Sequence, residues 1–135
     1  MIRTRQVHPE DHATFVAWGK FWKFAYPPLE ILPNRGAGGL VVCDDDGTMI
    51  CAGYVYMSNS TIAWSEFIIS NPAVKSKIIR TAALNQLIQD ICQVSKDEGY
   101  DMIITSVVNK NLVERYKKNG FVVGSTGAFE MIKKL

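Results

Sequence analysis

Two side chains in this sequence have the type and the setting that proton transfer requires. Tyr116 is the single tyrosine of the cationic stretch "NKNLVERYKKNGF" (109–121), and it stands on the apolar side of the predicted helix. A phenol with an ordinary pKa near 10 stays protonated at neutral pH and can therefore donate a proton. Glu66 is the only carboxylate of the apolar stretch "TIAWSEFIIS" (61–70), a setting that favours a general base. The two residues together indicate acid–base chemistry.

Each of these residues also has a purely structural interpretation. Tyr116 shares one helical face with Leu112 and Val113, so its ring could simply anchor the helix to the core. Glu66 shares one side of its strand with Trp64, and that side could face solvent. The residues alone leave both interpretations open.

The helix that carries Tyr116 has clear boundaries. Asn109 or Asn111 can cap its start, and Gly120 supplies the left-handed position that ends a helix. The remaining residues, "FVVGSTGAFEMIKKL" (121–135), predict one or two final strands.

The preceding elements predict a parallel pair of strands. Apolar residues recur at helical spacing from about residue 76 to residue 98, and Gly99 closes that helix. The run "YDMIITSVV" (100–108) is continuously apolar, which is typical of a strand buried on both faces. Because a helical crossover joins them, the strands at 61–70 and 100–108 should be parallel neighbours that splay apart at their ends.

The first half of the chain contributes a helix and a hairpin. A short strand at Ile2 to Gln6 precedes a helix in which Pro9 suits the first turn. Three prolines and three glycines make 23–39 an irregular loop, and an Asp-Gly turn divides 39–57 into a hairpin. The order predicts one α/β (α+β) domain over 1–135: a mixed sheet of about six to seven strands with helices packed on both faces.

Composition excludes several classes of protein. The chain is 47% hydrophobic with a net charge of +2 and has no basic stripe with interleaved aromatics, so we expect no nucleic-acid partner. No apolar run is long enough to span a membrane and no signal peptide begins the chain, so we expect a cytoplasmic protein without a membrane partner. The three cysteines lack metal-site spacing, and Pro9 lies between His8 and His12, so we expect no metal.

The chain resembles the GNAT superfamily of acyl-CoA-dependent N-acetyltransferases. The order of elements is similar over essentially the whole chain, and the last helix is similar to the closing motif N-x-x-A-x-x-x-Y-x-x-x-G-F. The matching residues are Asn109, Tyr116, Gly120 and Phe121, with Leu112 in place of the small residue. The resemblance implies a GNAT-like mixed sheet and acetyl-CoA as the co-substrate.

The resemblance fails at the loop that would bind the pyrophosphate of acetyl-CoA. Family members usually read P-x-x-R-G-x-G-x-G/A, and here the stretch is "PAVKSKIIRTAAL". Pro72 and Lys75 fit, whereas Ser76, Ile78 and Arg80 stand where glycines would let the backbone approach the diphosphate. The cofactor-binding residues that the resemblance implies are Phe67, Ile68 and Ile69 through their backbone, together with Lys75, Ser76, Lys77, Ile78, Ile79, Arg80 and Asn109.

The implied function is transfer of an acetyl group from acetyl-CoA to an amine of a small molecule or a protein. Tyr116 would protonate the departing sulfur and Glu66 would accept the proton of the amine, while Tyr26 and Glu30 would lie on the acceptor side. The alternative is a catalytically inactive GNAT-fold protein with a binding, regulatory or particle-associated role. An unrelated small α/β binding module is a third interpretation, and a homodimer is left open.

Overall fold

The computed structural model describes residues 1–135 and contains one five-stranded sheet with three α-helices. Short 3-10 turns at Pro9–Asp11, Leu29–Ile31 and Pro33–Gly36 precede the first helix and shape the loop after it. The strands are β1 (Ile2–Gln6), β2 (Gly39–Asp44), β3 (Met49–Met57), β4 (Ile62–Ser70) and β5 (Met102–Thr105), and the helices are α1 (His12–Trp22), α2 (Lys77–Asp97) and α3 (Lys110–Lys118).

The sheet has the order β1-β2-β3-β4-β5, and only the last pair is parallel. Pairing between β4 and β5 begins at Ile62 opposite Met102 and ends at Ser65 opposite Thr105. Since β4 continues to Ser70 while β5 stops, the two strands part at this point. The predicted parallel neighbours and their splayed ends are confirmed.

Helices cover both faces of the sheet, as predicted. Neighbouring residues of one strand point to opposite faces, so Val41 packs under α1 and Val42 packs under α2. Phe15 and Trp18 are the buried residues that α1 contributes to its side of the core. The core beneath α2 contains Val42, Ile50, Cys51, Val55, Ala63, Ala83, Leu87 and Ile91.

The predicted hairpin is also confirmed. Asp44 accepts hydrogen bonds at its carboxylate from the N–H groups of Asp46 and Thr48, at 2.9 and 3.0 Å. Gly47 has a φ of +82°, a conformation that glycine adopts without strain. No helix in the structure combines the length and the apolar character that a membrane crossing requires.

The predicted number of strands is wrong. The sheet has five strands rather than six or seven, because 119–135 forms no strand. The strand predicted at 100–108 is limited to Met102–Thr105 and lies at the edge of the sheet, not in its interior. The physical reason is that an apolar pattern makes a segment suitable for pairing but does not supply the neighbouring strand.

Candidate functional site

The hydroxyl of Tyr116 lies where β4 and β5 separate. The side chain is 5% exposed, and its oxygen is 3.4 Å from Oγ of Ser65, a residue of the last paired position between the two strands. Thr105, the partner of Ser65, donates its hydroxyl to the carbonyl oxygen of Ser65 at 2.8 Å. The ring of Phe121 packs against that of Tyr116 with centroids 4.7 Å apart. Tyr116 is therefore both an anchor of α3 and a polar group at the opening.

The environment of Tyr116 keeps its phenol protonated. Burial raises the pKa of Tyr116 above its ordinary value, and the negative charge of Glu66 adds to this increase. The neighbouring hydroxyls of Ser65 and Thr105 lower this pKa but do not outweigh burial. At neutral pH the group can donate a proton but cannot act as a base.

A β-bulge interrupts β4 just beyond Ser65. Tyr54 of β3 is opposite Glu66 and Ala52 is opposite Ile69, so Phe67 and Ile68 share a single opposing residue. Phe67 has a φ of +59°, which is an unfavourable conformation for a side chain with a Cβ. A bulge of this kind turns backbone N–H groups away from the regular ladder. The bulge therefore lies in the segment where the sequence predicted backbone donors, and their role stays a prediction.

Aromatic packing holds the strained residue of the bulge. The ring of Phe67 lies between those of Tyr26 and Tyr56, each at 6.3 Å, and Phe24 adds a contact at 6.5 Å. The hydroxyl of Tyr26 donates to the carbonyl oxygen of Phe67 at 3.4 Å. Burial raises the pKa of Tyr26 far above its ordinary value, so this donor remains protonated. Tyr26 thus supports the backbone of the bulge from the α1 face.

Glu66 lies half-buried on the same side of the sheet as Trp64. The indole N–H of Trp64 donates to Oε1 of Glu66 at 2.7 Å, and Trp64 is 40% exposed. Burial raises the pKa of Tyr56, and the negative charge of Glu66 raises it further. The carboxylate is therefore oriented by one donor and still reachable from solvent. Glu30 is exposed on a 3-10 turn, whose Ile31 carbonyl accepts from Tyr56 at 2.7 Å.

The N-terminus of α2 uses part of its hydrogen-bonding capacity internally. Ser76 is the N-cap, and its Oγ accepts from the N–H of Ile79 at 3.3 Å. The N–H of Arg80 donates to the carbonyl oxygen of Ser76 at 3.0 Å. Lys77 and Ile78 are the first two helical residues, whose N–H groups have no partner within a helix. The N–H groups of Ile79 and Arg80 are thus engaged, whereas those of Lys77 and Ile78 are left without a helical bond.

A groove of about 430 Å³ runs along α2 from this terminus, and its lining residues are Lys77, Ile78, Thr81, Ala82 and Asn85. The side chain of Ile78 is 84% exposed at its mouth. Lys75 lies beside the terminus, with Nζ 5.7 Å from the ring centroid of Phe21. Asn119, which follows α3, donates to Asn85 at 3.1 Å and fixes α3 next to the groove. A helix N-terminus with adjacent cations attracts anions.

Asn109 caps α3, and the sequence had left the choice between Asn109 and Asn111 open. Its Oδ1 accepts from the N–H groups of Asn111 and Leu112 at 2.9 and 3.1 Å. The amide oxygen is thus engaged in capping, and the NH₂ group is the part of this side chain left for a ligand. Ile69 is buried in the core beneath α1, so only its backbone can take part in the site.

Ser65 and Thr105 are site residues that the sequence analysis missed. Each stands at the last paired position of the two parallel strands, Ser65 within β4 and Thr105 at the carboxyl end of β5. A signal was present for Thr105, because ligands of α/β sheets bind at the carboxyl ends of strands and Thr105 ends β5. It could be used only once the register between the two strands was known.

Comparisons with known proteins establish the fold. No protein-family model and no curated protein sequence matches the chain. Among solved structures, N-acetylglutamate synthase from Neisseria gonorrhoeae, complexed with coenzyme A and N-acetyl-glutamate, aligns with 93% of this chain at a TM-score of 0.72 and 15% identity. The chain spans only 29% of that enzyme.

Two other solved structures match over their full length. Glucosamine-6-phosphate N-acetyltransferase from Arabidopsis thaliana aligns over 98% of this chain and 99% of its own, with a TM-score of 0.68 and 12% identity. An acetyltransferase from Trypanosoma brucei aligns over 100% of both chains, with a TM-score of 0.63 and 18% identity. At these identities the likeness concerns the fold: the chain has the GNAT acetyltransferase fold that its sequence predicted.

Proposed function

We propose that this chain is an acyl-CoA-dependent N-acetyltransferase, which transfers an acetyl group from acetyl-CoA to an amine of a small molecule or a protein. The observation that carries the proposal is the position of the Tyr116 hydroxyl, buried at the separation of β4 and β5 beside Ser65. The bulge at Phe67 lies on the adjoining part of β4. The residue that contacts the proton donor, Ser65, is therefore two positions from the bulge residue Phe67 along β4.

The N-terminus of α2 is the proposed site of the diphosphate. The N–H groups of Lys77 and Ile78 supply hydrogen bonds there, and the cations of Lys75, Lys77 and Arg80 add attraction. The thioester would then reach the opening between the two strands, with the NH₂ group of Asn109 near the carboxyl edge of β5. Coenzyme A in the N-acetylglutamate synthase structure supports the choice of ligand for this fold.

Three groups of the chain divide the chemistry among them. Glu66 accepts the proton that the amine loses as its nitrogen forms the bond to the acetyl carbon. Backbone amides at the bulge around Phe67 stabilise the negative charge that develops on the thioester oxygen. Tyr116 donates a proton to the sulfur as the carbon–sulfur bond breaks, so a neutral thiol leaves. The Trp64 indole keeps the Glu66 carboxylate oriented during the first step.

A second candidate function is a catalytically inactive GNAT-fold protein with a binding or regulatory role. One observation favours it: the cap and the first helical bond engage the N–H groups of Ile79 and Arg80. Ser76 and Ile78 also carry side chains where glycine would let the backbone approach the ligand. Both features weaken the diphosphate site, whereas the buried hydroxyl of Tyr116 beside Ser65 supports the first candidate.

Calorimetric titration with acetyl-CoA tests the two candidates directly. The enzyme should bind acetyl-CoA and release free thiol when a panel of amines is added. Glu66→Gln should bind the cofactor normally and release thiol about 10²-fold more slowly, as expected for a lost general base. Glu114→Gln is the matched control, because Glu114 is exposed on α3 and pairs only with Lys117. Absence of binding at millimolar acetyl-CoA would support the inactive alternative.

A further inference from the structure

The end of α1 and the turn after it expose three large aromatic side chains. Phe21, Trp22 and Phe24 are 56%, 45% and 41% exposed, whereas Phe15 and Trp18 of the same helix are buried in the core. The rings of Phe21 and Trp22 pack edge to face, with centroids 4.8 Å apart. Large apolar side chains exposed together at one place indicate an interaction surface.

The turn after α1 holds these rings in a fixed position. Lys23 has a φ of +58°, and the N–H of Phe24 donates to the carbonyl oxygen of Gly19 at 2.8 Å. A Cβ at Gly19 would lie 2.5 Å from the carbonyl oxygen of Phe24, so this tight turn requires glycine there. The indole N–H of Trp22 donates to the carbonyl oxygen of Ser70 at 2.8 Å. The polar atom of Trp22 is therefore satisfied within the chain, and the exposed part of its ring is apolar.

Exposed cations accompany the aromatic rings. Nζ of Lys75 lies 5.7 Å from the ring centroid of Phe21, so the end of α1 adjoins the start of α2. The exposed cations of the two helix ends are Lys20, Lys23, Lys75, Lys77 and Arg80. None of them belongs to an ion pair, and the stretches 12–29 and 67–89 contain no Asp or Glu. The α1 patch, as we call this surface, consists of Phe21, Trp22 and Phe24 with Lys20, Lys23 and Lys75.

We propose that the α1 patch binds the surface of an anionic lipid membrane. Aromatic rings are stabilised at the boundary between headgroups and acyl chains, and lysines beside them reach the anionic headgroups with their long side chains. The combination of exposed rings with cations that no carboxylate neutralises matches both parts of such a surface. The inference concerns location of the chain and does not depend on the proposed activity.

Two other occupants fit the α1 patch less well. A second copy of the chain would bring like charges face to face, which disfavours association. An acidic protein would match the cations, but it would also need a shaped apolar surface for the three rings. A lipid interface is fluid and accommodates protruding rings without such a shape.

The expectation of no membrane partner considered spanning segments and a signal peptide only. The α1 patch combines residues from two distant parts of the chain, since Phe21 and Lys75 meet only in the folded structure. No single stretch of the sequence therefore indicated it. Lys75 is also part of the proposed diphosphate site, so the variants that test the patch change residues of α1 and its cap alone.

Co-sedimentation of the full chain with vesicles, in the absence of acetyl-CoA, tests the proposal. The wild type should bind vesicles of equimolar phosphatidylcholine and phosphatidylglycerol more tightly than vesicles of phosphatidylcholine, and added salt should weaken the binding. Phe21→Ser should lower the partition coefficient about tenfold. Lys20→Glu with Lys23→Glu should lower it about 10²-fold. Far-UV circular dichroism verifies that each variant folds.

The exposed C-terminal segment provides matched controls. Phe129 is 90% exposed, so Phe129→Ser makes the same substitution at another exposed ring. Lys133→Glu with Lys134→Glu makes the same charge change, and both residues are exposed. Each control should bind anionic vesicles as the wild type does. Losses in the controls equal to those in the α1 variants would overturn the proposal.

Tryptophan fluorescence supplies a measurement that needs no change in the α1 patch. Trp18 is buried, so in Trp64→Phe the exposed tryptophan is Trp22. Its emission should shift to shorter wavelength when anionic vesicles are added, because the ring leaves water. An unchanged emission would contradict insertion of the patch.

Poly-glutamate, a soluble polyanion, distinguishes a membrane from an acidic protein. The wild type should bind it more weakly than anionic vesicles, because a polyanion offers no apolar phase for the rings. Three further results would overturn the proposal: no binding to anionic vesicles, equal binding to neutral and anionic vesicles, and binding to poly-glutamate as tight as to vesicles with no effect of Phe21→Ser on either.

Discussion

The helices α2 and α3 follow the neighbouring strands β4 and β5, yet their N-termini differ in the hydrogen-bond donors that they leave free. Asn109 takes up the N–H groups of Asn111 and Leu112 with a single side-chain oxygen, so the first turn of α3 keeps only the N–H of Lys110. Ser76 takes up only the N–H of Ile79, so the terminus of α2 keeps two outward N–H groups. The cations Lys75, Lys77 and Arg80 are also at α2.

The difference predicts that α2 contributes through its backbone and α3 through a side chain. α3 is capped by Asn109 and places Tyr116 about two turns further on. Packing against Phe121 and contact with Ser65 fix the hydroxyl there. α2 offers no catalytic side chain, and its contribution depends on how many N–H groups its cap leaves free. Substitutions can therefore test the two helices separately.

The largest effect should come from Tyr116→Phe. This change removes the hydroxyl but keeps the ring that packs on Phe121, so the fold and the affinity for acetyl-CoA should be unchanged. Turnover should fall by about 10²-fold, which is typical for the loss of a general acid. Steady-state kinetics with an accepted amine, together with calorimetric titration of acetyl-CoA, provide the measurement.

Two further variants separate the chemical role of Tyr116 from its structural role. Tyr116→Ala should lower the free energy of unfolding by about 3 kcal/mol, because it opens a cavity under α3. Tyr100→Phe is the matched control, since the hydroxyl of Tyr100 donates to the Ser58 carbonyl away from the opening. Full activity of Tyr116→Phe would show that the tyrosine is only an anchor.

Most of the fold could be predicted because local signals and packing agree. The Asp-Gly turn fixed the hairpin, and the helical crossover required β4 and β5 to be parallel. The C-terminal segment 121–135 could not be predicted in the same way. Its alternating apolar residues indicate a strand, but whether a strand forms depends on a neighbour that the local sequence does not specify.

The placement of the candidate residues could be predicted where it depends on helical spacing and less so where it depends on backbone geometry. Tyr116 follows Asn109 at a fixed helical spacing, so its position at the strand ends could be expected. The positive φ of Phe67 could not be expected from the sequence, because a bulge is a property of the pairing between β3 and β4. The hydrogen bond from the Ile79 N–H to Oγ of Ser76 could not be predicted either, because it depends on the rotamer of the Ser76 side chain.

Charge reversal at the start of α2 should have the next largest effect. Lys77→Glu replaces a cation by an anion at the groove beside the outward N–H groups, so the dissociation constant for acetyl-CoA should rise about tenfold. The affinity of the wild type should also decrease with added salt. Arg3→Glu is the control with the same charge change on β1, at the far edge of the sheet. Equal losses in both variants would mean that only net charge matters.

A smaller effect, in the opposite direction, should follow from changing the cap of α2. Ser76→Gly frees the N–H of Ile79 and removes the Cβ that limits approach of a phosphate. We expect acetyl-CoA to bind roughly fivefold more tightly, the value of one additional hydrogen bond, with a loss of stability of a few tenths of a kcal/mol. Ser76→Ala frees the same N–H but keeps the Cβ, so its gain should be smaller. If neither variant binds more tightly, the cap does not limit cofactor binding.

The smallest effect concerns pH, and it tests whether the environment of α3 acts on Tyr116 as the structure indicates. Burial raises the pKa of Tyr116 above its ordinary value near 10, and a general acid is active only while it is protonated. Its contribution to turnover should therefore be complete at neutral pH and should disappear only as pH rises through that raised pKa. From about pH 7 to about pH 9 the ratio of wild-type to Tyr116→Phe turnover should stay constant. A ratio that declines within this range would mean that the phenol ionises more readily than its burial beside Ser65 and Glu66 allows.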